Sequence, residues 1–317
     1  MSSRLFKHQM AASNVRQPAP HLVISNGDTF SVGAGFPFVG KSSFTDAQLV
    51  RYNDAEKMLF IILRTAGARY QLFKITAGAY IPITLPVTIS AMITGASFSK
   101  DGQYLAFTID TAPYVYLFKK NADDSFTRVT LPTITSYSSI IALNDDGSIM
   151  ARGLGVAPFL EIYLKQAGNS FIKSFYTIPS PPTGLFQGIE FVTKNILVVA
   201  QNNAKPVLTY NVPATTGQPA LKTDAGFNTT YSLGTRMSPD RSILAIRGVF
   251  GTAVYRHDGT GKFVSIAIPQ PLASLTDIAF SKDMRYMAFS SLGAPYLEMY
   301  QIVRDAFTKI TGPAAAA

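Results

Sequence analysis

Apolar residues along this chain fall in short runs of five or six, separated by turns rich in Asp, Gly, Asn and Pro. Runs such as "SFTRVTL" alternate apolar and polar positions, which predicts strands with one covered face. "ILVVA" is apolar throughout and predicts a strand covered on both faces. No segment keeps a helical period over three turns, so the pattern predicts an all-β protein.

The pattern repeats. "FSKDGQYLAFT" at Phe98 returns as "LNDDGSIMARG" at Leu143, "MSPDRSILAIR" at Met237 and "FSKDMRYMAFS" at Phe280. Weaker copies are "YNDAEKMLFII" at Tyr52 and "FVTKNILVVAQ" at Phe191, the latter one residue short. A second half recurs in step: "APYVYLFKK" at Ala112, "APFLEIYLK" at Ala157, "APYLEMYQI" at Ala294, and an upstream copy, "APHLVISNGDTF", at Ala19. Each unit reads as four short strands, and units follow one another about 45 residues apart, the period of a propeller blade. A single small sheet cannot hide two apolar faces, whereas radial stacking of sheets covers both.

The expectation is therefore a single all-β domain over 1–317, a seven-bladed β-propeller of four-stranded antiparallel blades. Residues 1–45 would form a degenerate N-terminal blade, 46–311 six clearer blades, and 312–317 a tail. Six blades plus an N-terminal hairpin is the alternative.

Topology assigns the loops to faces. Turns between strands one and two, and three and four, collect charge: Lys100-Asp101-Gly102, Asp145-Asp146-Gly147, Asp123-Asp124 and "RHDGTGK" from Arg256. The opposite face collects Pro-aromatic steps and Pro-led connectors. His21, Tyr114, Phe159 and Tyr296 on that face are candidate partner-binding anchors, because stiff loops lower the entropy cost of binding; the alternative is that Pro merely guides the chain between strands.

Composition narrows the chemistry. The chain has 317 residues, 47% hydrophobic and 15% charged, ample for a large core. Absence of Cys removes disulfides, thiolate metal sites and cysteine nucleophiles. The net charge of +9 reflects scarce acids rather than basic blocks. It favours acidic partners in a general way and points to no sequence-specific nucleic acid. No apolar run is long enough to span a membrane, and the first residues lack the apolar region of a secretory signal. The three histidines fall in different units without metal-ligand spacing, and no nucleophile-elbow, phosphate-loop or dinucleotide pattern occurs. No catalytic residue, metal or cofactor is expected.

One column of residues departs from its pattern. The residue preceding the Phe98-type position is small in Ser97, Ala142 and Ala279, but charged in Arg51, Glu190 and Arg236. This position lies on the innermost strand, where blades converge, so the charges must pair or border the central channel. Glu190 and Arg236 belong to consecutive units and are candidates for a structural ion pair or for a ligand site in the channel.

The combination "AFSKDMRYMAF" with "APYLEMYQIVRDAFTKITGP" resembles the blade units of propeller proteins in tailed bacteriophages, with looser similarity to WD-repeat and lactonase-like propellers. The resemblance implies a non-enzymatic structural and binding module of the virion, in the tail or on the head. Its partners would be other virion proteins or a host-surface receptor. The protein would be present in multiple copies and be assembled in the host cytoplasm. The chain departs from WD-repeat proteins in having no Trp and no Gly-His step, and from lactonase-like propellers in offering no evident cluster of His, Arg and acid. A lactonase-like hydrolase acting at the channel, or a cellular scaffold, are the alternative readings.

Overall fold

A computed structural model describes residues 47–310 apart from 64–68, 78, 176–177, 185, 202–206, 214–218, 223–226, 228–231, 249–250, 269–274, 282–283, 292–296 and 304–305. Blade I contains β1 (Ala47–Asn53), β2 (Met58–Leu63), β3 (Tyr70–Thr76) and β4 (Ala79–Pro82). Blade II contains β5 (Ile93–Phe98), β6 (Tyr104–Ile109), β7 (Val115–Lys120) and β8 (Phe126–Arg128). Blade III contains β9 (Ser138–Leu143), β10 (Ile149–Leu154), β11 (Leu160–Lys165) and β12 (Phe171–Lys173). Blade IV contains β13 (Phe186–Phe191), β14 (Ile196–Gln201), β15 (Val207–Asn211) and β16 (Ala220–Leu221). Blade V contains β17 (Ser232–Met237), β18 (Ile243–Gly248), β19 (Gly251–His257) and β20 (Phe263–Ile266). Blade VI contains β21 (Leu275–Phe280), β22 (Tyr286–Ser291), β23 (Leu297–Val303) and β24 (Ala306–Ile310). Each is a four-stranded antiparallel sheet with strands in chain order.

The propeller thus has six blades among the described residues, which corrects the expectation of seven. The seventh was assigned to residues 1–45, outside the described residues. Its sequence copy at Ala19 covers only the second half of a unit.

Burial explains the strand composition. All six residues of β6, β10 and β14 are buried, because the second strand of a blade is covered on both faces. In blade II, Leu105 and Phe107 face blade I, where they join Met58, Phe60, Ile62 and Leu72. Tyr104 and Ala106 face blade III and meet Met150, Ile141 and Tyr163. The same partition recurs between blades III and IV, IV and V, and V and VI. The period-2 geometry of a strand divides its residues between two neighbouring cores in this way.

The repeated turn has a local cause. The side-chain oxygen of Ser99 accepts the N–H of Tyr104, five residues on, at 2.9 Å. Asn144, Ser238 and Ser281 accept from Ile149, Ile243 and Tyr286 in the same way. Asp101 and Asp240 then accept from the Ser hydroxyl two residues earlier and from the N–H two residues later. The charged turns are therefore self-contained structural devices, as Asp and Ser often provide. Gly102 and Gly147 close these turns at φ values of 72° and 65°, a region open to glycine at no steric cost.

Candidate functional site in the axial cavity

The six innermost strands place Arg51, Ser97, Ala142, Glu190, Arg236 and Ala279 at one register position, opposite Phe60, Ala106, Ala151, Val198, Ala245 and Ala288. They form a belt around the axis. Each polar member whose bond is resolved reaches the next blade. Arg51 donates through Nε to the Ala96 carbonyl at 2.9 Å, and Arg236 donates through Nε to the Ile278 carbonyl at 3.1 Å. Ser97 accepts the N–H of Leu143 at 3.1 Å. These tethers fix both guanidinium groups relative to the strands.

The belt borders a cavity of about 260 Å³, lined among others by Arg51, Ser97, Glu190, Arg236 and Arg247. Arg247 comes from the second strand of blade V, opposite Gly234 in the β17–β18 ladder. A Cβ on Gly234 would lie 3.4 Å from Nη2 of Arg247, so the bare glycine backbone is the surface over which the guanidinium passes. Gly188 has a parallel role: a Cβ there would meet Thr235 Oγ1 at 2.2 Å, so glycine permits β13 and β17 to approach at the axis.

Three guanidinium groups therefore line the cavity with one carboxyl. Burial, the largest influence on Glu190, pushes its pKa above the usual carboxylate range, while Arg236, Arg51 and Arg241 pull in the other direction. The cavity is a cationic chamber with one acid whose ionised form burial disfavours. Such a lining suits an anionic or electron-rich ligand, and a carboxyl displaced by burial is a frequent mark of a working site. Among the described residues no three His, Asp or Glu side chains gather as a metal-binding group.

Of the residues singled out in the sequence, Arg51, Glu190 and Arg236 are brought together. The proposed anchors are not. Tyr114 and Phe159 adopt positive φ values of 65° and 59°. Both are half-buried, packing against the cores between blades II and III and between III and IV respectively. Their rings take part in the blade interfaces and remain partly exposed. His21 and Tyr296 lie outside the described residues. Arg247 was missed. Its only signal is the pairing of an arginine with a glycine across a predicted hairpin.

No protein-family model matches the chain, and no curated protein matches it in sequence. Solved structures do. A putative 6-phosphogluconolactonase from Bacteroides uniformis is similar at 12% identity and TM-score 0.59, over 80% of both chains. The periplasmic gluconolactonase PpgL of Pseudomonas aeruginosa is similar at 14% identity and TM-score 0.57, over 86% of this chain and 87% of that one. The β-propeller domain of Cps50 (Swd1) from Myceliophteria thermophila is similar at 14% identity and TM-score 0.59, over 84% and 87%.

At such identities the likeness establishes the fold alone, a β-propeller. None of these structures is a virion protein, so the phage resemblance gains nothing from them. They also overturn the expectation of a non-enzyme, which rested on missing linear motifs. Proteins named as lactonases share this architecture, and here Arg and acid do converge, at the axis, from residues far apart in sequence.

Proposed function

We propose that the chain is a lactonase-like hydrolase acting on a small, anionic cyclic ester in the axial cavity. The observation that carries this reading is the convergence of Glu190 with Arg51, Arg236 and Arg247 on one chamber. The similarity to proteins named 6-phosphogluconolactonase and gluconolactonase supports the choice of substrate class.

The chemistry follows from the lining. Glu190 in its ionised form accepts a proton from water as that water adds to the ring carbonyl. The carbonyl oxygen becomes an oxyanion, which a tethered guanidinium stabilises without reorganisation. The ring C–O bond then breaks, and the proton held by Glu190 passes to the departing alkoxide. One water is consumed and one hydroxy acid is formed. A second guanidinium holds the anionic substituent of the substrate, the bidentate role for which Arg is suited. The upward displacement of the Glu190 pKa brings it closer to the solution pH, where general bases work best.

The test is hydrolysis of gluconolactone and of phosphorylated or carboxylated sugar lactones, followed by proton release. Acceleration above the spontaneous rate, abolished in Glu190→Gln and weakened mainly through KM in Arg51→Met, is expected. Hydrolysis at the spontaneous rate with every such lactone would reject the proposal.

A further inference from the structure

Arg241 and Asp145 are 96 residues apart in sequence and belong to blades V and III, yet their side chains form an ion pair. Blade IV stands between them. Its own first turn, from Phe191 to Leu197, is one residue shorter than the equivalent turns of blades II, III, V and VI. A bond from blade III to blade V bridges blade IV, and Arg241 is close enough to Glu190 for the two charges to attract. Glu190 is the penultimate residue of β13.

Other contacts lock the same corner. Lys194, in the short turn of blade IV, pairs with Asp146 of blade III at 2.8 Å. The side-chain amide of Asn144 donates to the Lys194 carbonyl at 2.9 Å, and the N–H of Asp101 donates to the Asp145 carbonyl at 3.0 Å. Arg241 itself holds the left-handed turn position that Gly102 and Gly147 occupy in blades II and III, with φ of 63°. Met284 holds the same position in blade VI with φ of 58°, so it is the ion pair with Asp145, and not the backbone, that sets Arg241 apart. The Arg241 side chain is only 14% exposed. Burial depresses its pKa, and the attractions of Asp145 and Glu190 oppose that effect.

We infer that the Arg241–Asp145 pair is the floor of the axial cavity: it closes the channel on the charged-turn face, makes the site a cup reached from the connector face, and positions the charge beneath Glu190. The inference rests on the axial cavity being the working site, but its test needs no substrate and so fails or succeeds independently of the hydrolase reading. Arg241 is a positioning residue in this arrangement, acting through Glu190. The charged groups acting on that carboxyl are Arg51 from blade I and Arg236 and Arg241 from blade V, with Arg247 on the same lining and Asp145 behind Arg241.

The chain has no cysteine, so Ser97→Cys introduces a single thiol into the cavity lining. Its rate of reaction with a small methanethiosulfonate reagent reports access. Adding Asp145→Ala or Arg241→Ala should raise that rate about threefold or more, since thiol modification follows exposure. Equal rates with and without the pair would overturn the floor. Should either alanine variant lose its cooperative thermal transition, the conservative variants Asp145→Asn and Arg241→Gln take its place. They also allow a second measurement, the carboxyl NMR titration of Glu190. Arg241→Gln should move it to higher pH, and Asp145→Asn, which leaves the Arg241 charge undivided, should move it to lower pH. Shifts in the same direction, or none, would reject the positioning role.

Discussion

Gly234 stands opposite Arg247 in the β17–β18 ladder, and a Cβ on that glycine would come within 3.4 Å of the guanidinium. The glycine is the opening through which a second-strand arginine reaches the axis. That distance is an ordinary van der Waals contact, so Gly234→Ala should leave the arginine in place. Gly234→Val should displace it and weaken binding of an anionic lactone about tenfold or more, the value of one charge-assisted hydrogen bond. KM against the anionic and neutral lactones checks this; an unchanged ratio would remove Arg247 from the site.

Glu190 gives stability an uncommon pH dependence. A carboxyl whose folded-state pKa lies above its unfolded value stabilises the fold below the unfolded value, and this contribution is lost as pH rises through the folded one. Glu190→Gln cannot ionise. It should therefore melt at or above the wild-type temperature at neutral pH, with the difference disappearing below the ordinary glutamate value of 4.5. A less stable Gln variant at neutral pH would show that the carboxylate is a net structural asset.

Asp146 behaves in the opposite sense. Burial works against its ionised form, but bonds from Lys194 and Ser148 overcome this and bring its pKa from 3.8 to about 2. Its contribution is present above 3.8 and lost as the pH falls towards 2. The side chain is 42% exposed, so solvent screening keeps the effect small. Comparing urea midpoints of wild type and Asp146→Asn across that window should show a gap that closes on acidification.

Phe118 is fully buried between blades I and II, with its ring centroid 5.6 Å from that of Phe107. Phe118→Ala should cost about 3–5 kcal/mol in denaturant unfolding, the usual range for a core aromatic. A loss below about 1 kcal/mol would contradict its place in the interface.

Arg152 is buried in blade III, donating to Glu161 at 2.7 Å and to the Ser136 carbonyl at 2.7 Å, while Lys173 holds the other carboxylate oxygen. Blade II places Phe107 and Tyr116 at the equivalent positions. Arg152→Ala should cost about 3 kcal/mol, because a buried acid loses its inner partner. The double change Arg152→Phe with Glu161→Tyr, which copies blade II, should cost less than the single one. Chemical denaturation of both variants decides the order.

The ring was legible because Phe98, Leu143, Met237 and Phe280 recur with the same turn behind them, and that turn's hydrogen bonds are local. The blade number was not, since half a unit at Ala19 cannot reveal whether it finds the other half. Arg51, Glu190 and Arg236 stood out as charges in a column of small residues, and strand periodicity carried them to the axis. Arg247 and Arg241 were hidden for different reasons: one crosses a missing Cβ from an outer strand, the other depends on a positive φ. Tyr114 and Phe159 share the left-handed backbone of Arg241. A left-handed backbone turns a side chain towards a place that alternation alone does not foresee.

The belt around the axis also bears on how such a protein changes over time. Its six positions are supported by ladder hydrogen bonds between strands, and each is encoded in a separate unit of the chain. Two of the six are alanine and one is serine, so half of the belt carries no charge. Ala142 is buried in the core between blades III and IV, whereas Ser97 lies on the cavity lining, so a single codon change at Ser97 would alter the chamber. The lining of the chamber can thus change one unit at a time while the ladders that carry it stay the same.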